Sequence, residues 1–174
     1  MKQVYTLIIA GIGGQGINGF MRRLHHEIGQ QGHHLIASRY KGGAQRLGSV
    51  HAECKLILSE APELQQQSSQ IIPGTLDLLI GLESWETLRF IPFCNSETLI
   101  ISDTFTEYPP GTKQQAPFAS PEPFFEALQN PLLRQDFKAI ATQQGLAANA
   151  LPILLMNRAI ERLHIPINPL NLLL

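Results

Sequence analysis

Two short segments carry the residues best suited to chemistry. The first is AGIGGQGING, residues 10–19, in which Gly11, Gly13 and Gly16 fall in the G-x-G-x-x-G spacing, with Gly14 and Gln15 between them. Glycines there let the backbone approach an anion closely. A helix that follows offers free N–H groups at the positive end of its dipole. The same turn also serves close strand–helix packing with no ligand at all. The second segment is RYKGGAQRLG, residues 39–48, a basic glycine-rich stretch with Arg39, Lys41, Gln45 and Arg46, followed at once by Ser49. The candidate binding set is Gly11, Gly13, Gly14, Gln15, Gly16, Arg39, Lys41, Gln45, Arg46 and Ser49.

For a dinucleotide the pattern predicts an Asp or Glu at the end of the second strand, to hold the ribose hydroxyls. That position reads Ser38-Arg39, then Lys41, and the first acid after it is Glu53. The basic residues suit a 2′-phosphate, as in NADP, or another phosphate-bearing ligand such as coenzyme A. They are equally compatible with a solvated basic loop.

The remaining candidates are weak. His25-His26 and His33-His34 are adjacent pairs, with His51 further on. Neighbours on a helix point about 100° apart, so His25 and His26 do not easily chelate one ion together, and exposed polar histidines are expected. Ser49 has no evident His/Asp constellation. Cys54, on an inferred strand, is expected to pack as a small apolar residue. Glu83 and Glu86 stand at the start of an inferred helix, where capping is the expected role and a place at the ligand edge the alternative. No catalytic residue and no metal ligand set is assigned.

The elements that position these residues follow from periodicity. Residues 4–10 form a continuous β-branched apolar run, as in a strand buried on both faces. Ile17, Phe20, Met21, Leu24 and Ile28 have helical spacing, with Gly32 as a stop. Residues 34–38 read as a second strand, and 49–58 as an alternating strand, antiparallel and near an edge. Strands are further expected over 77–82, 98–102 and 137–142, with helices over 85–93, 124–128 and 146–163. Pro152 must sit in the first turn of the last helix or kink it. Residues 103–123 form a long polar excursion. The end, NPLNLLL, is apolar enough to predict packing on a partner or a second copy. The fold class is α/β: a doubly wound, largely parallel sheet with helices on both faces, Rossmann-like and three-layered, with one antiparallel strand.

The chain has 174 residues, 44% hydrophobic and 16% charged, with a net charge of −1, which fits one domain and argues against a general nucleic-acid binder. Cys54 and Cys94 form no CxxC motif, so no self-held zinc or iron–sulfur cluster is expected, and a reduced, cytoplasmic setting fits. No apolar run nears the roughly 20 residues of a membrane span, and the N-terminus does not read as a signal peptide.

GIGGQGI after the first strand, AQRLGSV at 44–50, DLLIGLESWETLRFIP at 77–92 and AANALPILLMNRAI at 147–160 occur in one order. This arrangement resembles the gamma-type subunit or domain of the 2-oxoacid:ferredoxin oxidoreductases, with GLE-x-x-E-x-L-R-F-x-P favouring the indolepyruvate branch and its beta subunit. The resemblance implies an accessory piece without turnover of its own. Thiamine diphosphate and iron–sulfur clusters would then sit in an alpha-type partner subunit, with coenzyme A near the interface and ferredoxin reached through the complex. The chain departs from the pattern where Arg39 and Lys41 replace an acid and a histidine, and Leu47 a glycine. Those changes imply a divergent complex or a paralogue that kept the fold. A free-standing NADP- or phosphate-binding protein and an inactive homo-oligomer, the simplest being a homodimer, stay open beside it.

Overall fold

The computed structural model describes residues 2–42, 48–58, 68–108 and 119–171. Its order is β1 (Val4–Ile12), α1 (Ile17–Gln30), β2 (His34–Lys41), β3 (Ser49–Ile57), β4 (Leu76–Gly81), α2 (Ser84–Arg89), β5 (Cys94–Asp103), α3 (Glu122–Glu126), β6 (Leu132–Gln135), α4 (Phe137–Gln143) and α5 (Leu151–Leu163). Short 3-10 turns occupy Ile91–Phe93 and Ala148–Ala150. The six strands form one sheet in the order β2-β3-β1-β4-β5-β6. β1, β4, β5 and β6 run parallel, and β3 runs antiparallel to both β1 and β2. The expected α/β sheet with an antiparallel strand near one edge is therefore the observed architecture.

The apolar run of β1 becomes a central strand. Leu7, Ile8, Ile9 and Ala10 are all fully buried. Alternation sends Leu7 and Ile9 to one face and Ile8 and Ala10 to the other. The first face is thick: α1, α4 and α5 cover it through Phe20, Leu24, Phe137, Leu155 and Met156. The second face is thin. It is covered by α2, by Phe90 and the 3-10 turn beside it, and by Ile71 and Leu128. Gly81 makes that thin layer possible, because a Cβ there would lie 1.7 Å from Thr87 Oγ1. Thr87 in turn lies 3.2 Å from Ser102 Oγ and donates to the Glu83 carbonyl.

Two expectations are corrected. Residues 137–142 are helical. Asp136 caps α4 by accepting from Ala139 N at 2.7 Å, and the strand is the preceding Leu132–Gln135. FKAIAT alternates like a strand, and the capping Asp decides against that reading. The tail also differs. Ile165, Ile167 and Leu170 are buried in the chain's own core, so the expected packing on a partner is corrected for Leu170 alone. Asn157 secures them: its Nδ2 donates to the Leu170 carbonyl at 2.8 Å, and its Oδ1 accepts from Leu170 N at 2.7 Å. Residues 172–174 lie outside the described residues. Pro152 occupies the first turn of α5, where its missing N–H costs nothing.

Asn157→Ala leaves both backbone groups of buried Leu170 without a partner, at about 1–3 kcal/mol for an unsatisfied buried group. The expected result in urea denaturation is a loss of that order. Faster amide exchange at Leu170 should accompany it, and unchanged exchange there would show that the tail is held by its apolar side chains alone.

Candidate ligand-binding site

The glycine turn is held together by its own side chain. Gln15 Oε1 accepts from Ile12 N at 2.8 Å and Gln15 Nε2 donates to the Leu82 carbonyl at 2.7 Å, which ties the ends of β1 and β4 together. The space a Cβ on Gly11 would take is filled by Gln15 Oε1, 2.4 Å away. Gly14 and Gly16 adopt left-handed backbone, with φ of 101° and 81°, where glycine is favoured. Gly16 begins α1 and leaves just enough room for Asn149, whose Cβ would lie 3.5 Å from an added Cβ. Gly13 N–H donates to the Gly48 carbonyl at 2.9 Å, and Gln15 N–H to the Ile12 carbonyl at 3.3 Å. Two of these four hydrogen bonds are internal to the turn, and the other two tie it to Gly48 and Leu82.

Above the turn, at the carboxyl ends of the parallel strands, lies a cavity of about 400 Å³. Gly13, Gly14 and Gln15 form one wall, and Phe105, Glu107 and Lys138 another, with Leu82, Leu146 and Leu151 supplying apolar surface. Lys138 Nζ lies 4.5 Å from the centre of the Phe105 ring, a cation–π contact. Asp103, fully buried at the end of β5, sets this wall: its carboxylate accepts from Phe105 N at 2.6 Å and from Lys138 N at 2.8 Å. Burial raises its pKa, and these two N–H groups act in the opposite direction. Glu83 does the same for the next residue along. One oxygen caps α2 by accepting from Glu86 N at 2.7 Å, and the other accepts from Glu107 N at 3.1 Å. Burial raises its pKa as well. The capping role expected of Glu83 is the one observed.

Of the candidate binding residues, Gly13, Gly14 and Gln15 line the cavity. Gly11 and Gly16 shape it from behind. Ser49 stands elsewhere: its hydroxyl donates to Glu86 at 2.6 Å, and Arg89 holds the other oxygen of Glu86 at 3.1 Å, pinning the base of the β2–β3 hairpin to α2. Arg39 and Lys41 are exposed on β2, separated from β1 by the whole of β3, roughly 10 Å at the usual strand spacing. Gln45 and Arg46 lie outside the described residues. Sequence reasoning passed over Phe105, Glu107 and Lys138. The usable signal was position: ligands of such sheets gather where parallel strands end, and β5 ends at Asp103.

His51, on β3, stacks on Tyr40, 4.7 Å away, and meets the Phe90 ring, 4.6 Å away, at a tilt of 50°. Burial lowers its pKa below the ordinary 6.5. Nearby Glu53 and Glu86 oppose that shift, and Arg89 adds to it. Burial pushes both thiols upward, Cys94 to about 11, so neither is a ready nucleophile. Cys54 lies against Met21 Sδ at 3.7 Å in the core. Among the described residues no group of three or more His, Cys, Asp or Glu side chains is placed to hold a metal, and no helix is long and apolar enough to cross a membrane.

A sheet of this order, with a glycine turn opening on a carboxyl-edge cavity, defines an α/β domain of the doubly wound class. Residues 6–160 match the pyruvate ferredoxin/flavodoxin oxidoreductase family, and the chain belongs to it. It is 30% identical over 105 residues to the indolepyruvate oxidoreductase subunit IorB of Archaeoglobus fulgidus, an alignment covering 60% of this chain and 49% of that protein. The chain thus spans about half the length of that relative. Two crystal structures share the fold. Pyruvate oxidoreductase subunit PORC of Thermotoga maritima has a TM-score of 0.57 at 14% identity, covering 93% of this chain and 86% of that one. The keto/oxoacid ferredoxin oxidoreductase gamma subunit of Geobacter sulfurreducens has a TM-score of 0.56 at 15% identity, covering 90% and 75%.

Gln15→Ala deprives Ile12 N–H and the Leu82 carbonyl of their partner at once, and a destabilisation of about 1–3 kcal/mol is expected in chemical denaturation. The His51 shift has a definite sign. Below pH 6.5 the unfolded chain protonates His51 before the folded one does, so stability falls as the pH drops past that value. His51→Phe keeps the stack and removes the titration. Its stability is therefore expected to decline less than the native protein's between about pH 7.5 and about pH 5. Equal declines would place the acid sensitivity at another group.

Proposed function

We propose that the chain acts as the accessory, gamma-type subunit of a 2-oxoacid ferredoxin oxidoreductase of the indolepyruvate kind. Its partner would be an alpha-type subunit that carries thiamine diphosphate and iron–sulfur clusters and reduces ferredoxin. The observation that carries this reading is the character of the cavity in a member of this family. Backbone glycines, apolar side chains, Glu107 and Lys138 surround it, and neither described cysteine nor any described histidine is among its lining residues. Such a wall suits a binding role, in which apolar surface and a few polar groups orient a ligand.

Coenzyme A is the ligand class that suits it. The apolar walls can accept a thin aliphatic arm, and Lys138 at the rim can meet a phosphate. The free-standing NADP reading draws less support from the geometry, because Arg39 and Lys41, its cationic residues, lie across β3 from the glycine turn.

Purification of the tagged chain from its host is expected to bring down a large thiamine- and iron–sulfur-containing subunit in fixed stoichiometry, identified by mass spectrometry. Recovery of the chain alone would overturn the subunit reading. In the reconstituted complex Lys138→Ala is expected to raise the KM for coenzyme A by about tenfold, the loss of one charged contact, and to leave the KM for the 2-oxoacid unchanged.

A further inference from the structure

We propose that the outer edge of β2, with the groove between it and α1, accepts an extended acidic segment of another protein by strand addition. The proposal does not rest on the subunit reading. β2 is an edge strand and, among the described residues, pairs only with β3. Gly42 N–H donates to the Ser49 carbonyl at 2.8 Å, and this sets the parity of the antiparallel ladder. His34, Ile36, Ser38 and Tyr40 turn their backbone groups toward β3, and Leu35, Ala37, Arg39 and Lys41 turn theirs outward. The outward set presents alternate N–H and C=O groups, which is what an added strand requires.

The same four residues point their side chains toward α1. Leu35 is buried there, whereas Ala37, Arg39 and Lys41 are exposed, so α1 leaves the second half of β2 uncovered. Two adjoining hollows of about 630 and 500 Å³ share His25, Leu35 and Ile36 and form a groove along this edge. On the α1 side Arg22, His25 and Gly29 form a single stripe of the helix.

Charge selects the occupant. Arg22 and Arg39 line the groove beside His25, His33 and His34, Lys41 continues the strand, and no described Asp or Glu is among the lining residues. Arg22, Arg39 and Lys41 make no ion pair with any described residue. A second copy of the chain paired across a two-fold axis would set these cations against themselves. Cations on an edge are also the usual guard against such self-pairing. A foreign strand with Asp or Glu at alternate positions meets them favourably, because alternate side chains fall on the α1 side.

The test uses the full chain and a fluorescent peptide of about ten residues alternating Glu and Val, the length of a long strand. Anisotropy is expected to show binding that weakens with salt and is absent when Lys replaces Glu. Ala37→Pro removes an outward N–H that β3 does not use, so it is expected to abolish binding without moving the unfolding midpoint. Arg39→Glu is expected to weaken binding by about tenfold or more. The amides of Ala37 and Arg39 are expected to gain hydrogen-exchange protection when the peptide is present. No binding of the Glu peptide, equal binding of the Lys peptide, or binding without protection of those amides overturns the proposal. So does self-association of the chain that Ala37→Pro converts to monomers, which would assign the edge to a second copy.

Discussion

The direction of β3 is the constraint on which the rest of the molecule depends. A strand entering between β1 and β2 in parallel would need a long crossover on either side of it. Run antiparallel, it follows β2 directly as a hairpin and pairs with β1 along its whole length, from Val4↔Ile57 to Ile12↔Ser49. The outcome at its start is a fixed base for the basic loop. Gly48 accepts from the glycine turn, and Ser49 reaches α2 through Glu86. The outcome for β2 is displacement to the edge, one strand further from the carboxyl-edge cavity than a nucleotide-binding sheet would place it.

Two buried carboxylates then build the cavity wall that the parallel strands leave open. Among the described residues neither Asp103 nor Glu83 is paired with a lysine or arginine at its carboxylate; backbone N–H groups hydrogen-bond both. Each receives one from a neighbouring loop and one from a helix, so each joins a strand end, a loop and a helix start. Burial favours the protonated acid, and these hydrogen bonds favour the anion, which is the balance expected of carboxylates recruited as connectors.

Much of the fold was legible because its strands are either fully buried or cleanly alternating. The run before the glycine turn, the α1 stripe and the alternating 49–57 segment each announce one structure by period alone. The difficulties came where local pattern and capping disagree. FKAIAT alternates like a strand, but Asp136 places it at a helix start. The apolar tail looked like a surface for a partner because nothing in its composition reveals that Asn157, thirteen positions earlier, holds its backbone. The cavity was half legible. Its glycine wall follows from a spacing. Its Phe105–Lys138 wall depends on which strand ends bring two distant segments together, and periodicity carries no information on that. Arg39 and Lys41 were assigned to the site by analogy with a sheet in which β1 and β2 are neighbours, and here β3 separates them.

The unequal thickness of the two sheet faces has a dynamic consequence. The layer of α2 and its 3-10 turn rests on a small apolar cluster and is the cheaper of the two to open locally. Glu83 belongs to that layer through its cap and to the cavity through Glu107. An opening of α2 therefore releases part of the cavity wall, and a ligand that orders the wall withdraws population from the open state. Occupancy on one side of the sheet edge and helix order on the other become two readings of one equilibrium, joined through a single carboxylate.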